Sequence, residues 1–167
     1  MTAQADLDKL FPGPITLNKG FPGYTTLQLE KEIELQVTEE NPDIILILMG
    51  TNDIARGIPP EITAATYSRI IATIKDECPD AAIYLQTIPP VNNQMRQGKK
   101  LLDTNKIDYL NNAIKEIAAK QKCTMIDIDT PLEKDNVLPK DYTWDGLHLS
   151  DKAYEIWKNT IIKAIGK

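Results

Sequence analysis

His148 is the only histidine of the chain, and Asp145 stands three residues before it in Asp145-Gly146-Leu147-His148. A carboxylate beside an imidazole is the pairing from which a general base is built: the acid fixes the tautomer of the ring and steadies the imidazolium that forms when the ring takes a proton. Taken alone, a histidine near the start of a helix is an ordinary surface or packed residue, and Asp145 without it is an ordinary loop carboxylate. Two other stretches give the pair company. Gly50-Thr51-Asn52-Asp53 follows an apolar run, and Asn18-Lys19-Gly20-Phe21-Pro22-Gly23 is a glycine-rich turn further upstream. A glycine lets a ligand approach the backbone closely, and an asparagine carries an amide that both donates and accepts.

Regular elements must hold these residues in place. Of the seven residues from Asp43 to Met49, six are Ile, Leu or Met without alternation, which predicts a strand buried on both faces in a parallel sheet covered by helices. Such sheets bind ligands beyond the carboxyl ends of their strands, where Gly50 and Asn52 stand. Ile15-Thr16-Leu17-Asn18 reads as a short extended segment, and Leu27, Leu29, Ile33 and Leu35 predict an amphipathic helix to about residue 38, stopped by Asn41-Pro42. Pro59-Pro60 opens a helix over 61–77, marked by Ile62, Ala65, Ile70, Ile71 and Ile74. A strand over 81–87, a polar loop from Val91 to Lys100, a helix over 103–122 and a short strand over 123–128 follow. An irregular stretch from Thr130 to Trp144 precedes a last helix that begins at Ser150, an N-cap type. This β-α rhythm predicts one α/β domain over 1–167, a three-layer α/β/α, flavodoxin-like parallel sheet with right-handed crossovers.

A formal net charge of -5 gives no electrostatic footprint for nucleic acid or anionic lipid, and 42% hydrophobic with 26% charged residues is ordinary globular composition. No apolar run reaches the roughly 18 residues needed to span a bilayer, so no membrane partner is expected. Cys78 and Cys123 form no motif and read as free thiols, and one histidine with two distant cysteines gives no metal-ligand spacing. Neither a metal nor a cofactor is expected. A flavodoxin-like or receiver-like binding domain would share the β-α rhythm, but the glycine-rich turn at 18–25 lacks the G-x-x-x-x-G-K-[ST] of a phosphate loop.

Gly23, Gly50-Thr51-Asn52-Asp53 and Asp145-Gly146-Leu147-His148 together resemble three of the four motif blocks of the SGNH (GDSL-type) esterase/lipase family, and the match spans nearly the whole chain. The resemblance implies a serine ester hydrolase that works through an acyl-enzyme on a small-molecule or carbohydrate ester, such as an O-acetyl group. It implies Asp145 and His148 as two catalytic triad members and Gly23 and Asn52 as oxyanion-hole donors.

The fourth block, Gly-Asp-Ser at the end of the first strand, is absent, and the chain holds only two serines. Ser68 falls inside a predicted helix, and Ser150 follows His148 too closely and reads as a helix cap. Met1-Thr2-Ala3-Gln4 resembles the sequence that directly follows Gly-Asp-Ser in the family. The expectation is therefore that the chain begins just past its nucleophile, that the first strand is missing, and that this chain alone is inactive. A fragment, a non-catalytic glycan- or ester-binding variant, and a strand supplied by another chain all satisfy that pattern. The missing strand would be interior to the sheet, leaving unpaired edges and a core defect. Among the remaining residues, Asp53 is expected to hydrogen-bond within its turn, Trp144 to anchor the loop or wall the substrate, Lys99-Lys100 to lie on a solvated face, and the 91–100 loop to line the entrance.

Overall fold

The computed structural model describes residues 4–166, so the Met1-Thr2-Ala3 stretch, on which the expected join to Gly-Asp-Ser rests, lies outside the described residues. Contacts divide the chain into two compact units. One comprises Gly23–Ile88 and Asp103–Met125, and the other Met1–Pro22, Pro89–Leu102 and Ile126–Lys167.

The first of these units carries the sheet, which is parallel and open as the β-α rhythm predicts. Strands β1 (Ile44–Ile47), β2 (Ala82–Gln86) and β3 (Thr124–Ile126) lie in the order β1-β2-β3. β1 and β2 run parallel with Ile45 opposite Ile83 and Ile47 opposite Leu85. β1 is shorter than its apolar run, and it alternates: Ile45 and Ile47 are buried, while Ile44 is 44% exposed. The expectation of burial on both faces therefore holds for one face only, the one that carries Ile45 and Ile47. The helix expected from about 27 to 38 is broken into α2 (Thr26–Lys31) and α3 (Ile33–Gln36), followed by a 3-10 turn over Thr38–Glu40. Its apolar residues do not share one helical face, and only Thr26 and Ile33 of the two helices are buried.

A short helix, α4 (Thr51–Arg56), begins immediately after Gly50, so Asn52 and Asp53 stand in a first helical turn. Helix α5 (Pro60–Glu77) starts with Pro60, where a missing N–H costs nothing. Its buried residues Thr63, Thr66, Tyr67, Ile70, Ile71 and Ile74 form one stripe. Ile62 lies outside that stripe and is exposed, because Thr63 and Thr66 take the inner positions of the first turns. Helix α6 (Thr104–Gln121) is capped by Asp103, whose carboxylate accepts from Asn105 N at 3.1 Å, and it packs on α5. Its buried Asn111 clamps the end of β2, taking Ile88 N at 2.7 Å and donating to Ile88 O at 3.0 Å.

The other unit is built on α7 (Asp151–Ile165), whose Trp157 is nearly fully buried. Trp157 meets Phe11, which follows α1 (Leu7–Leu10), edge-on at 5.8 Å, and Tyr154 edge-on at 6.0 Å. Residues 15–18 form no strand; Ile15 is 96% exposed, so nothing there rewards extended pairing. Ser150 is the N-cap residue of α7, yet its hydroxyl donates to Asp141 O at 2.9 Å and accepts no helix N–H. The 91–100 loop is tied down by its asparagines: Asn92 donates to Leu138 O at 2.9 Å, and Asn93 both accepts from and donates to the main chain of Leu102. Cys78 and Cys123 are free. Among the described residues no helix is long and apolar enough to cross a membrane, and no group of three or more His, Cys, Asp or Glu is placed to hold a metal ion.

Candidate active site

The loop before α7 is folded around Thr143 and Asp145. The Thr143 hydroxyl accepts from Gly146 N at 2.9 Å and donates to His148 O at 2.7 Å, and Thr143 pairs with Leu149 in an antiparallel bridge. Inside the closed loop the Asp145 carboxylate, 7% exposed, gathers four donors. Oδ1 takes Leu147 N at 3.0 Å and His148 N at 2.9 Å; Oδ2 takes His148 Nδ1 at 2.9 Å and Lys99 Nζ at 2.9 Å. Burial works to raise this carboxyl, but the His148 and Leu147 N–H groups, the Lys99 ammonium and the imidazole outweigh it and hold it well below the usual carboxylate range. Asp145 is therefore an anion at neutral pH.

That charge fixes the tautomer of His148. An ionised carboxylate only accepts, so Nδ1 carries the proton and Nε2 keeps its lone pair. Nε2 has no hydrogen-bond partner among the described residues, and the side chain is 29% exposed. The exposed Trp144 ring stacks on the imidazole, with centroids 5.0 Å apart and planes 10° off parallel, and Lys99 Nζ lies 5.8 Å from the Trp144 ring centroid. Gly146 permits the loop: its φ is +83°, and a Cβ there would stand 2.3 Å from Asn92 O. The sequence reading joins Asp145 to His148 correctly. It misplaces Lys99, which is a partner of the pair and not part of a purely solvated face; with Lys99 and Asp145 46 positions apart, no local pattern announces the contact.

The other two site candidates meet in the sheet-bearing unit. Asn52 Nδ2 donates to Tyr24 O at 2.9 Å, which leaves its second amide hydrogen for another acceptor. Gly23, the neighbour of Tyr24, has φ +76°, and its carbonyl accepts from Arg56 Nη2 at 2.7 Å. The Gly23 N–H makes no hydrogen bond among the described residues. Asp53, fully buried, is hydrogen-bonded by its own main chain within the turn, as expected, and bonds as well across 27 residues to α2. It takes Thr26 N at 3.1 Å and the Thr26 hydroxyl at 2.5 Å, with the Thr63 hydroxyl at 3.5 Å. Burial pushes the Asp53 carboxyl above its ordinary value, and these donors pull it back. Asp53 thus pins the first turn of α4, with Asn52 on it, to the first turn of α2. Arg56 and Thr26 are structural members of this group that no motif revealed.

Both serine hydroxyls make a hydrogen bond elsewhere. The Ser68 hydroxyl accepts from Gln121 Nε2 at 2.7 Å, and that of Ser150 is spent on Asp141 O.

The sequence model of the GDSL-like Lipase/Acylhydrolase family matches residues 2–156. An isoamyl acetate-hydrolyzing esterase 1 homolog of Rattus norvegicus is 28% identical, over 89% of this chain and 67% of that protein. A solved structure from Streptococcus pneumonia, described as a platelet activating factor, superposes with a TM-score of 0.90 at 28% identity, covering 97% of this chain and 78% of that one. The acetylxylan esterase of Geobacillus stearothermophilus shares the fold, with a TM-score of 0.78 at 21% identity over 96% of this chain and 77% of that one.

Proposed function

Because the chain belongs to the GDSL-like lipase/acylhydrolase family, a family of ester hydrolases, we propose that it carries the base and the oxyanion donors of a serine esterase acting on short acyl esters, acetyl esters foremost. The observation that carries this reading is the Asp145–His148 pair: Nδ1 is held on an ionised carboxylate at 2.9 Å and Nε2 is left with a free lone pair. The acetate ester in the name of the rat relative and the acetylxylan ester in that of the bacterial one support the acyl group.

On this reading His148 Nε2 takes the proton of a serine hydroxyl as its oxygen attacks the carbonyl carbon of the ester. The carbonyl π pair moves onto oxygen, a charge for which the Gly23 N–H and the second Asn52 amide hydrogen are donors of the fitting kind. The tetrahedral species collapses as His148 returns the proton to the departing alkoxide, leaving an acyl-serine. Water, activated by the same nitrogen, then releases the acid. Asp145 holds the ring throughout and lowers the energy of the imidazolium.

We assign the nucleophile to neither Ser68, whose hydroxyl accepts from Gln121, nor Ser150, whose hydroxyl donates to Asp141 O. The 167-residue chain alone is accordingly inactive or nearly so. The test is hydrolysis of an acetyl ester by this chain beside a version extended upstream by its natural coding sequence. The extended protein should turn over and react with a serine-directed phosphonate, and the 167-residue chain should do neither. Equal turnover by both, with the phosphonate on Ser68 or Ser150, would overturn the assignment of the nucleophile. Saturable ester binding by the extended protein with no hydrolysis would favour a binding module.

A further inference from the structure

The sequence reading left Lys99 without a task, and the structure places it on the oxygen that matters most to the imidazole. The segment that presents it is built for the purpose. Arg96 is buried, and both Nε and Nη2 donate to Lys100 O, at 3.2 and 3.0 Å, while Lys99 N donates to Arg96 O at 2.9 Å. A buried guanidinium committed to one main-chain carbonyl is a costly way to shape a loop unless the shape is used. The loop turns at Gly98, with φ +73°, and delivers the Lys99 ammonium to Asp145 Oδ2.

We propose that Lys99 is a positioning residue of the site: its ammonium shares Asp145 Oδ2 with His148 Nδ1 and restrains how strongly the carboxylate favours the charged imidazole, so that His148 stays a proton acceptor to lower pH. This rests on the reading of His148 as a base. A base too well stabilised in its charged form accepts no proton at the working pH, and a second cation on the same oxygen opposes that form directly. Among the described residues, Asp145 and Lys99 are the charged groups that contact the imidazole or its partner, and Trp144, stacked on the ring, does not titrate. Lys99 is 52% exposed, so its influence is screened and should weaken as salt rises.

The lone histidine makes the test direct, because one imidazole Cε1–H resonance reports the whole titration. It is followed by NMR in the unaltered chain, in Lys99→Met and in Lys99→Arg. Lys99→Met should move the titration midpoint upward by about 0.5–1 pH unit, and Lys99→Arg should restore it. The gap between Lys99→Met and the unaltered chain should narrow at high salt. No movement in Lys99→Met, or the same movement in Lys99→Arg, would overturn the proposal. The titration needs no substrate and no nucleophile, so its outcome stands apart from that of the esterase assay. Should Lys99→Met fold poorly, Lys99→Gln keeps a polar side chain without the charge and must give the same upward movement.

Discussion

His148 Nδ1 lies 2.9 Å from Asp145 Oδ2, on a carboxylate that also receives the main-chain N–H of His148 itself. The aspartate thus grips both the backbone and the ring of the residue it orients, within a span of three residues. Because donors hold the Asp145 carboxyl below the usual range, the unfolded chain binds its proton more readily than the folded one. The stabilisation is complete above about pH 4, the unfolded range, and fades as pH falls towards the depressed folded value. Asp145→Asn should therefore lose about 1–3 kcal/mol at pH 7 in a urea titration. Its deficit against the unaltered chain should shrink at pH 3.

Asp53 makes the opposite prediction. Burial raises its carboxyl, so here the folded chain binds the proton more readily, and stability falls as pH climbs from about 4 through the folded value. Thr26 supplies the donors that limit this cost. Thr26→Val should destabilise by about 1–3 kcal/mol at pH 7 and by less at pH 4.5, read by thermal melts at the two values.

Gly146 and Gly57 separate backbone strain from collision. Both have positive φ, +83° and +78°, but a Cβ on Gly57 would meet nothing within 4 Å, whereas on Gly146 it would stand 2.3 Å from Asn92 O. Gly57→Ala should cost about 1 kcal/mol. Gly146→Ala should cost at least about twice that and should disturb the His148 resonance, which Gly57→Ala should leave in place.

Asn52 separates transition-state from ground-state binding. In the upstream-extended protein, Asn52→Ala should lower kcat by about 10²–10³-fold with little change in KM, the signature of a donor used on the oxyanion. Since Asn52 also ties Tyr24 O at 2.9 Å, a melting curve must accompany the kinetics.

The sequence reading succeeded where apolar spacing or short-range chemistry set the structure. The isoleucines of 61–77, the stripe of 103–122 and the run at 81–87 became α5, α6 and β2 close to their expected bounds. The Asp145–His148 contact was legible because its partners are three residues apart. It failed where burial depends on distant neighbours. Ile15 and Ile44 are apolar yet exposed, and no property of Ile44 itself reveals which face of β1 is left uncovered. Polar contacts across long separations left no local trace. Asp53 with Thr26, Lys99 with Asp145 and Arg56 with Gly23 were all invisible until the chain was folded.

The most direct test of the account removes the imidazole. In the upstream-extended protein, acetyl-ester hydrolysis by His148→Ala is compared with that of the unaltered sequence at saturating substrate. Loss of at least about 10³-fold in kcat is the predicted result, since general-base removal disables the serine and leaves only the oxyanion donors and binding. Retention of kcat within about tenfold, below the usual contribution of a general base, would contradict the role assigned to His148 and, with it, the reading of the Asp145–His148 pair as the base of a serine esterase.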